Sequence, residues 1–100
     1  MCGFTGFIDY SGIGSRDVLQ QMTNTLLHRG PDDAGYEFLQ FSNCSVGLGF
    51  RRLSIIDLSP LGHQPMFSAN RDVVVMMNGE IYNYKEIKAD LISQGASFKS

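Results

Sequence analysis

Residues 1–8 read MCGFTGFI, and the run GFTGFI over 3–8 has the composition of a short buried strand that begins almost at the terminus. Working outward, Ser15 is placed to cap a helix over about 16–28. Val18, Met22 and Leu26 follow the helical period with Leu19 beside them, and Gly30 stands where a C-terminal glycine belongs. Pro31-Asp32-Asp33 then predicts a turn. YEFLQF at 36–41 and CSVGLGF at 44–50 read as paired strands around Ser42-Asn43. LSIID at 53–57 is a short apolar segment, and SPLGHQPM at 59–66 is a loop with two prolines. DVVVMM at 72–77 carries the strongest strand signal and is cut off by Asn78-Gly79. A second helix is expected over about 83–94, with Tyr84, Ile87 and Leu91 on one face, stopping before Gly95. Another strand is expected to start at Ala96. The order predicts an α+β fold, with helices set against mostly antiparallel strands.

Composition narrows the function classes. The 100 residues are 43% hydrophobic and 18% charged, which suits one small globular domain or part of a larger one. Lys and Arg number 8 against 10 Asp and Glu, with no basic block, so a phosphate-neutralising nucleic-acid surface is not expected. No apolar run approaches the roughly 20 residues that span a bilayer, and the N-terminus lacks the pattern of a secretion signal. Cys2 and Cys44 are the only cysteines, which is no disulfide framework and points to a reducing cytoplasm. They form no C-x-x-C pair, so a redox protein is disfavoured.

Cys2 is the first candidate for chemistry. Aminopeptidases remove an initiator methionine when the next side chain is small, leaving a thiol and a free α-amine on one residue. An α-amine titrates at about 7.7–8.0, near enough to neutrality to act as a base without a histidine. One residue can then be both nucleophile and proton acceptor. Taken alone, Cys2 is more readily read as an inert buried cysteine. Asn78-Gly79-Glu80 follows an apolar strand. The Asn side-chain amide and the next main-chain N–H are suited to holding an oxyanion, and Glu80 to meeting a cation. Taken alone, the same residues are a turn. Arg51 and Arg52 precede the LSIID segment, and arginine is a bidentate partner for a carboxylate; either is also an ordinary surface cation. His28, His63 and the cysteines match no zinc spacing. Asp32 and Asp33 shape a turn, and Met22, Met66, Met76 and Met77 fill core.

These features sit within longer blocks: MCGFTGF at the start, HRGPDDAG at 28–35, FRRLSIIDLS at 50–59, GHQPM at 62–66 and NGEIYNY at 78–84. In order and spacing they resemble class II glutamine amidotransferases, and within that class the glutaminase domain of glutamine-hydrolysing asparagine synthetases. The resemblance implies a four-layer αββα sandwich of the N-terminal-nucleophile hydrolase type, of which residues 1–100 form the N-terminal, nucleophile-bearing part. It implies Cys2 as nucleophile, Asn78 and Gly79 as oxyanion donors, and Arg52 rather than Arg51 as the holder of the glutamine α-carboxylate. The main chain of Leu53, Ser54, Ile55 and Ile56 is implied to line the glutamine pocket, and Glu80 to contact the α-amino group. L-Glutamine is the implied substrate, hydrolysed without metal or cofactor. ATP and Mg belong to a C-terminal synthetase domain in a cytoplasmic parent protein, and a homodimer is compatible with the family. The family's glutaminase domain is longer than this chain, so an incomplete domain is expected. Relatives that amidate a sugar or another acid share these blocks, which leaves the acceptor open beyond the leading choice of aspartate. The rival reading is a non-catalytic glutamine-binding or assembly module, against which the intact Cys2, Arg52, Asn78, Gly79 and Glu80 stand.

Overall fold

The computed structural model describes residues 2–53 and 62–98. Strand β1 (Gly3–Asp9) leads to helix α1 (Arg16–Asn24), then to strands β2 (Asp33–Gln40) and β3 (Ser45–Arg52). Two short strands, β4 (Met66–Phe67) and β5 (Val74–Val75), precede helix α2 (Tyr84–Ser93). β3 lies between β1 and β2, antiparallel to both, and β4 pairs with β5 in a separate antiparallel sheet. The architecture is mixed α and β with antiparallel sheets, as the element order predicted.

The register explains how α1 seats. Thr5, Gly49 and Tyr36 share one row of the sheet, and Phe7, Gly47 and Phe38 the next row on the same face. A side chain on Gly49 would run into Thr23 of α1, and one on Gly47 into the Phe7 ring, so the missing side chains let helix and ring sink onto β3. The buried face of α1 is therefore Leu19 and Thr23, at 1% and 0% exposure, while Val18 is exposed. This corrects the apolar stripe expected from Val18, Met22 and Leu26. Closeness to a glycine favours a small residue that can bond locally. Thr23 donates to the Leu19 carbonyl at 2.8 Å, which leaves its oxygen to accept from Thr5 at 3.1 Å.

Ser15 caps α1 as expected, its hydroxyl accepting from the Val18 N–H at 3.2 Å. The helix ends at Asn24 rather than near residue 28. Thr25 donates its hydroxyl to the Met22 carbonyl at 2.6 Å, and the bonds that follow, Leu26 to Thr23 and Leu27 to Asn24, span three residues instead of four. Gly30 is not a left-handed helix cap. It lies flat against the Arg51–Arg52 main chain, which any Cβ there would overlap. Pro31 bridges to Arg52, the Asp32 N–H donates to the Arg52 carbonyl at 3.0 Å, and Asp33 already belongs to β2. The turn expected at Pro31-Asp32-Asp33 is instead the entrance to a strand.

The hairpin around Ser42-Asn43 forms as expected, closed by Phe41 N–H to Cys44 carbonyl at 2.8 Å. The run 72–77 yields only the two residues of β5, with Val73 and Val75 exposed. Strand preference reflects packing against neighbours, and among the described residues only the short β4 pairs with this segment, where Val74 and Met76 are no more than half-buried. α2 ends in a Schellman motif: Gly95 at φ +98°, its N–H on the Ile92 carbonyl and the Ala96 N–H on Leu91, each at 3.0 Å. Its Tyr84, Ile87 and Leu91 remain exposed, and residues 96–98 form no strand. The expected apolar segment 53–57 lies outside the described residues beyond Leu53. Among the described residues no helix is long and apolar enough to cross a membrane.

Candidate active site

Gly3 pairs with Arg51, so one further step of the antiparallel register sets Cys2 opposite Arg52. Both project from the sheet face away from α1, because alternate residues share a face. The chain turns after β3, and the Leu53 N–H points at the Cys2 Sγ at 3.3 Å while the thiol reaches the Leu53 carbonyl at 3.6 Å. The thiol thus rests on main chain, half-buried, and is not in a disulfide.

Cys2 is held through its carbonyl oxygen. The Asn78 side-chain amide donates to it at 3.0 Å, and Arg29 Nε donates to it at 3.1 Å. Arg29 stands in the HRGPD block, but its contact with the cysteine was not expected from the sequence. The signal available was its place directly before Gly30, the glycine that presses the α1–β2 connection against the end of β3. Arg52 is buried at 8% exposure, and Gly62 lies against its guanidinium, which a Cβ at position 62 would overlap. Arg51 points to the opposite face and donates from Nε to the Gly30 carbonyl at 2.8 Å. The two adjacent arginines therefore serve different sides of the sheet.

Among the residues singled out in advance, the structure brings together Cys2, Arg52, Leu53 and Asn78 at one end of the three-stranded sheet. Gly79 follows Asn78 with an open face, met only by the Met77 methyl at 3.3 Å from a would-be Cβ. Glu80 is exposed and lines a shallow recess of about 250 Å³ with Met77, Gly79, Ile81 and Tyr84. It makes no contact with Cys2 in this arrangement. Ser54, Ile55 and Ile56 lie outside the described residues. His63 bonds Asp33 at 2.5 Å, tying the 62–65 loop to the start of β2. Among the described residues no group of three or more His, Cys, Asp and Glu is arranged to hold a metal ion. A larger recess of about 300 Å³ opens at the far end of the sheet, around Asp9, Gln40 and Cys44, and holds none of these residues.

Residues 1–100 match the family model of the glutamine amidotransferase domain over their whole length. The chain belongs to the glutamine amidotransferase family. This amidotransferase chain is 44% identical to asparagine synthetase (glutamine-hydrolyzing) 2 of Bacillus subtilis over 91% of its own length and 12% of that relative's. It is 38% identical to asparagine synthetase (glutamine-hydrolyzing) 1 of the same organism, over 100% of its length and 16% of the relative's. Amidase chry2 of Gibberella zeae is 38% identical over 94% of this chain and 15% of the amidase. The amidotransferase chain thus spans less than a fifth of each of these relatives. No solved structure matches it significantly.

Proposed function

We propose that this chain is the nucleophile-bearing part of a glutaminase domain, in which Cys2 releases ammonia from L-glutamine for a synthetase domain of the same parent protein. One observation carries the reading: the Cys2 thiol lies on the Leu53 main chain, with the Asn78 amide, from 76 residues away, bonded to the Cys2 carbonyl. With Met1 removed, the Cys2 α-amine takes the thiol proton as Sγ bonds to the side-chain carbonyl carbon of glutamine. The carbonyl π electrons move onto oxygen. Asn78 Nδ2 carries two N–H groups and spends one on Cys2, so the other, with the Gly79 main-chain N–H, can hold that oxyanion. Collapse expels ammonia, which leaves with the proton held by the α-amine. Water then cleaves the γ-glutamyl thioester, releasing glutamate and restoring the thiol.

Arg52 would bind the α-carboxylate, and the main chain of 53–56 would line the pocket. Glu80 would meet the α-ammonium once substrate is bound. The relatives named glutamine-hydrolyzing asparagine synthetases support aspartate as acceptor, with ATP and Mg bound in the synthetase part of a cytoplasmic parent. The finer fold we propose is the four-layer αββα sandwich. Its support is that Phe4 and Ile8 stand exposed on the sheet face away from α1, as a face awaiting a second sheet would.

The test is covalent labelling of the full-length parent with an electrophilic glutamine analogue, mapped by mass spectrometry. An adduct on Cys2 of Met1-free protein, blocked by excess glutamine, is the expected result. A folded, Met1-free, full-length protein that takes up no label would overturn the catalytic reading and leave the non-catalytic module.

A further inference from the structure

β4 and β5 pair at only two positions, Met66 with Val75 and Phe67 with Val74. The same register places Pro65 opposite Met76 and Gln64 opposite Met77. The Ser68 N–H donates to the Val73 carbonyl at 2.9 Å. Hydrogen-bonding positions alternate along an antiparallel pair, so 64 and 77 form another such position. Among the described main-chain bonds the ladder does not reach Gln64. The Gln64 side chain closes it instead. Its Oε1 accepts from the Met77 N–H at 2.7 Å, and its Nε2 donates to the Met77 carbonyl at 3.3 Å. A primary amide offers the same donor and acceptor as a peptide unit, so the side chain supplies both bonds that a facing strand residue would have made.

The residue after Met77 is Asn78, whose amide reaches the Cys2 carbonyl at 3.0 Å. The main chain of Gln64 is itself anchored. It lies against Gly35 of β2, and the neighbouring His63 is bonded to Asp33. A chain of contacts therefore runs from β2 through Gln64 and Met77 to Asn78.

We propose that Gln64 is a positioning residue of the glutaminase site, whose two-way amide bond to Met77 sets the main chain that aims the Asn78 amide at Cys2. The proposal rests on the oxyanion role given to Asn78 above. Gln64 touches neither thiol nor substrate. It acts only through Asn78, and an oxyanion donor counts in the transition state rather than in substrate binding.

The test is steady-state glutamate release by the full-length parent carrying Gln64→Ala, Gln64→Glu, Asn78→Ala, or Gln64→Ala with Asn78→Ala. Rates are normalised to the Cys2 sites that an electrophilic glutamine analogue titrates, so misfolded protein is not counted. Gln64→Ala is expected to lower kcat by about tenfold, leave KM for glutamine within about twofold, and add nothing in the Asn78→Ala background. Gln64→Glu keeps an acceptor for the Met77 N–H but sets a carboxylate against the Met77 carbonyl, and should lose kcat in the same direction. If Gln64→Ala gives no titratable sites, Gln64→Glu is read by the same criteria, with Gln64→Glu/Asn78→Ala as its double variant. A kcat within about twofold of wild type, or losses that multiply in the double variant, would overturn the proposal. A large loss in Asn78→Ala with a silent Gln64 variant sinks this inference alone. A silent Asn78→Ala sinks the oxyanion role as well.

Discussion

Gly35→Ala should impair the glutaminase reaction although position 35 makes no contact with Cys2. A Cβ built on Gly35 lies 2.8 Å from the Gln64 carbonyl carbon and 2.8 Å from His63 Nε2, with the Gln64 carbonyl oxygen nearer still. Ordinary contact begins at 3.4 Å, so these two atoms alone must retreat by about 0.6 Å, and the oxygen by more. A main-chain displacement on the order of 1 Å carries Gln64 away from Met77, and Asn78 with it. Misplacement on that scale costs about 100-fold in rate when it moves a catalytic group. The packing cost, about 1–3 kcal/mol, is separate and should lower thermal stability. Gly12→Ala is the control. Gly12 has φ +82° and no atom within 4 Å of a would-be Cβ, so the substitution strains the backbone by about 1–2 kcal/mol without pushing on the site. In the parent protein, Gly35→Ala should lose both stability and glutaminase kcat, whereas Gly12→Ala should lose only stability. A Gly35→Ala enzyme with kcat within about threefold of wild type would refute the linkage from β2 to Asn78.

Arg29→Ala removes a charge-assisted bond of 3.1 Å to the Cys2 carbonyl. At about 1.5–3 kcal/mol for such a bond, kcat/KM for glutamine should fall roughly 10- to 100-fold, and an unchanged value would remove Arg29 from the site. Gly49→Ala drives a methyl into Thr23 and Thr5, so it should destabilise by about 1–3 kcal/mol and speed thermal inactivation; wild-type inactivation kinetics would contradict the seating of α1 on β3. The Ser11 hydroxyl, with the Gly14 and Ser11 amides, holds the Asp9 carboxyl below its ordinary value of 3.8. A depressed folded pKa gives stability that is full above the ordinary value and lost as pH falls through the folded one. The stability gap between wild type and Asp9→Asn should therefore be constant from neutral pH to about 5 and shrink as the pH falls below about 4, and a gap as large at about pH 3 as at neutral pH would refute it.

Local signals were legible where a residue acts on its own neighbours. Ser15 as a cap, Ser42-Asn43 as a hairpin tip and Gly95 as a helix stop were all read from sequence, since each depends on atoms a few residues away. Positions whose meaning lies across the sheet were not. Thr23 looks like a polar interruption of a helix until Gly49 is known to sit beneath it. Gly30 looks like a helix cap until Arg51 and Arg52 are seen against it. The β5 run was over-read because strand preference presumes a packed neighbour. At the site, the motif blocks singled out Cys2, Arg52, Leu53 and Asn78, which the structure brings to one sheet end. They were silent on Arg29 and Gln64, which bond to the main chain of Cys2 and Met77, contacts that no sequence pattern exposes.

The way Cys2 is held bears on the chemistry asked of it. Two described side chains fix its main chain, and both grip the carbonyl oxygen. An internal cysteine nucleophile could be restrained through either of its peptide groups. In the proposed mechanism the Cys2 α-amine accepts and returns a proton, so a donor placed on that nitrogen would occupy the lone pair that acts as base, and a grip on the carbonyl leaves that lone pair open. A restraint on the carbonyl side avoids that conflict, and a strand that begins at the next residue adds to it. Gly3 already pairs with Arg51, so the sheet supplies that rigidity from the residue next to the nucleophile. On the proposed mechanism, carbonyl, thiol and amine of one residue then have separate tasks: anchor, attack and proton transfer. This division explains why the site draws Arg29 and Asn78 from distant parts of the chain onto an atom that takes no part in bond making.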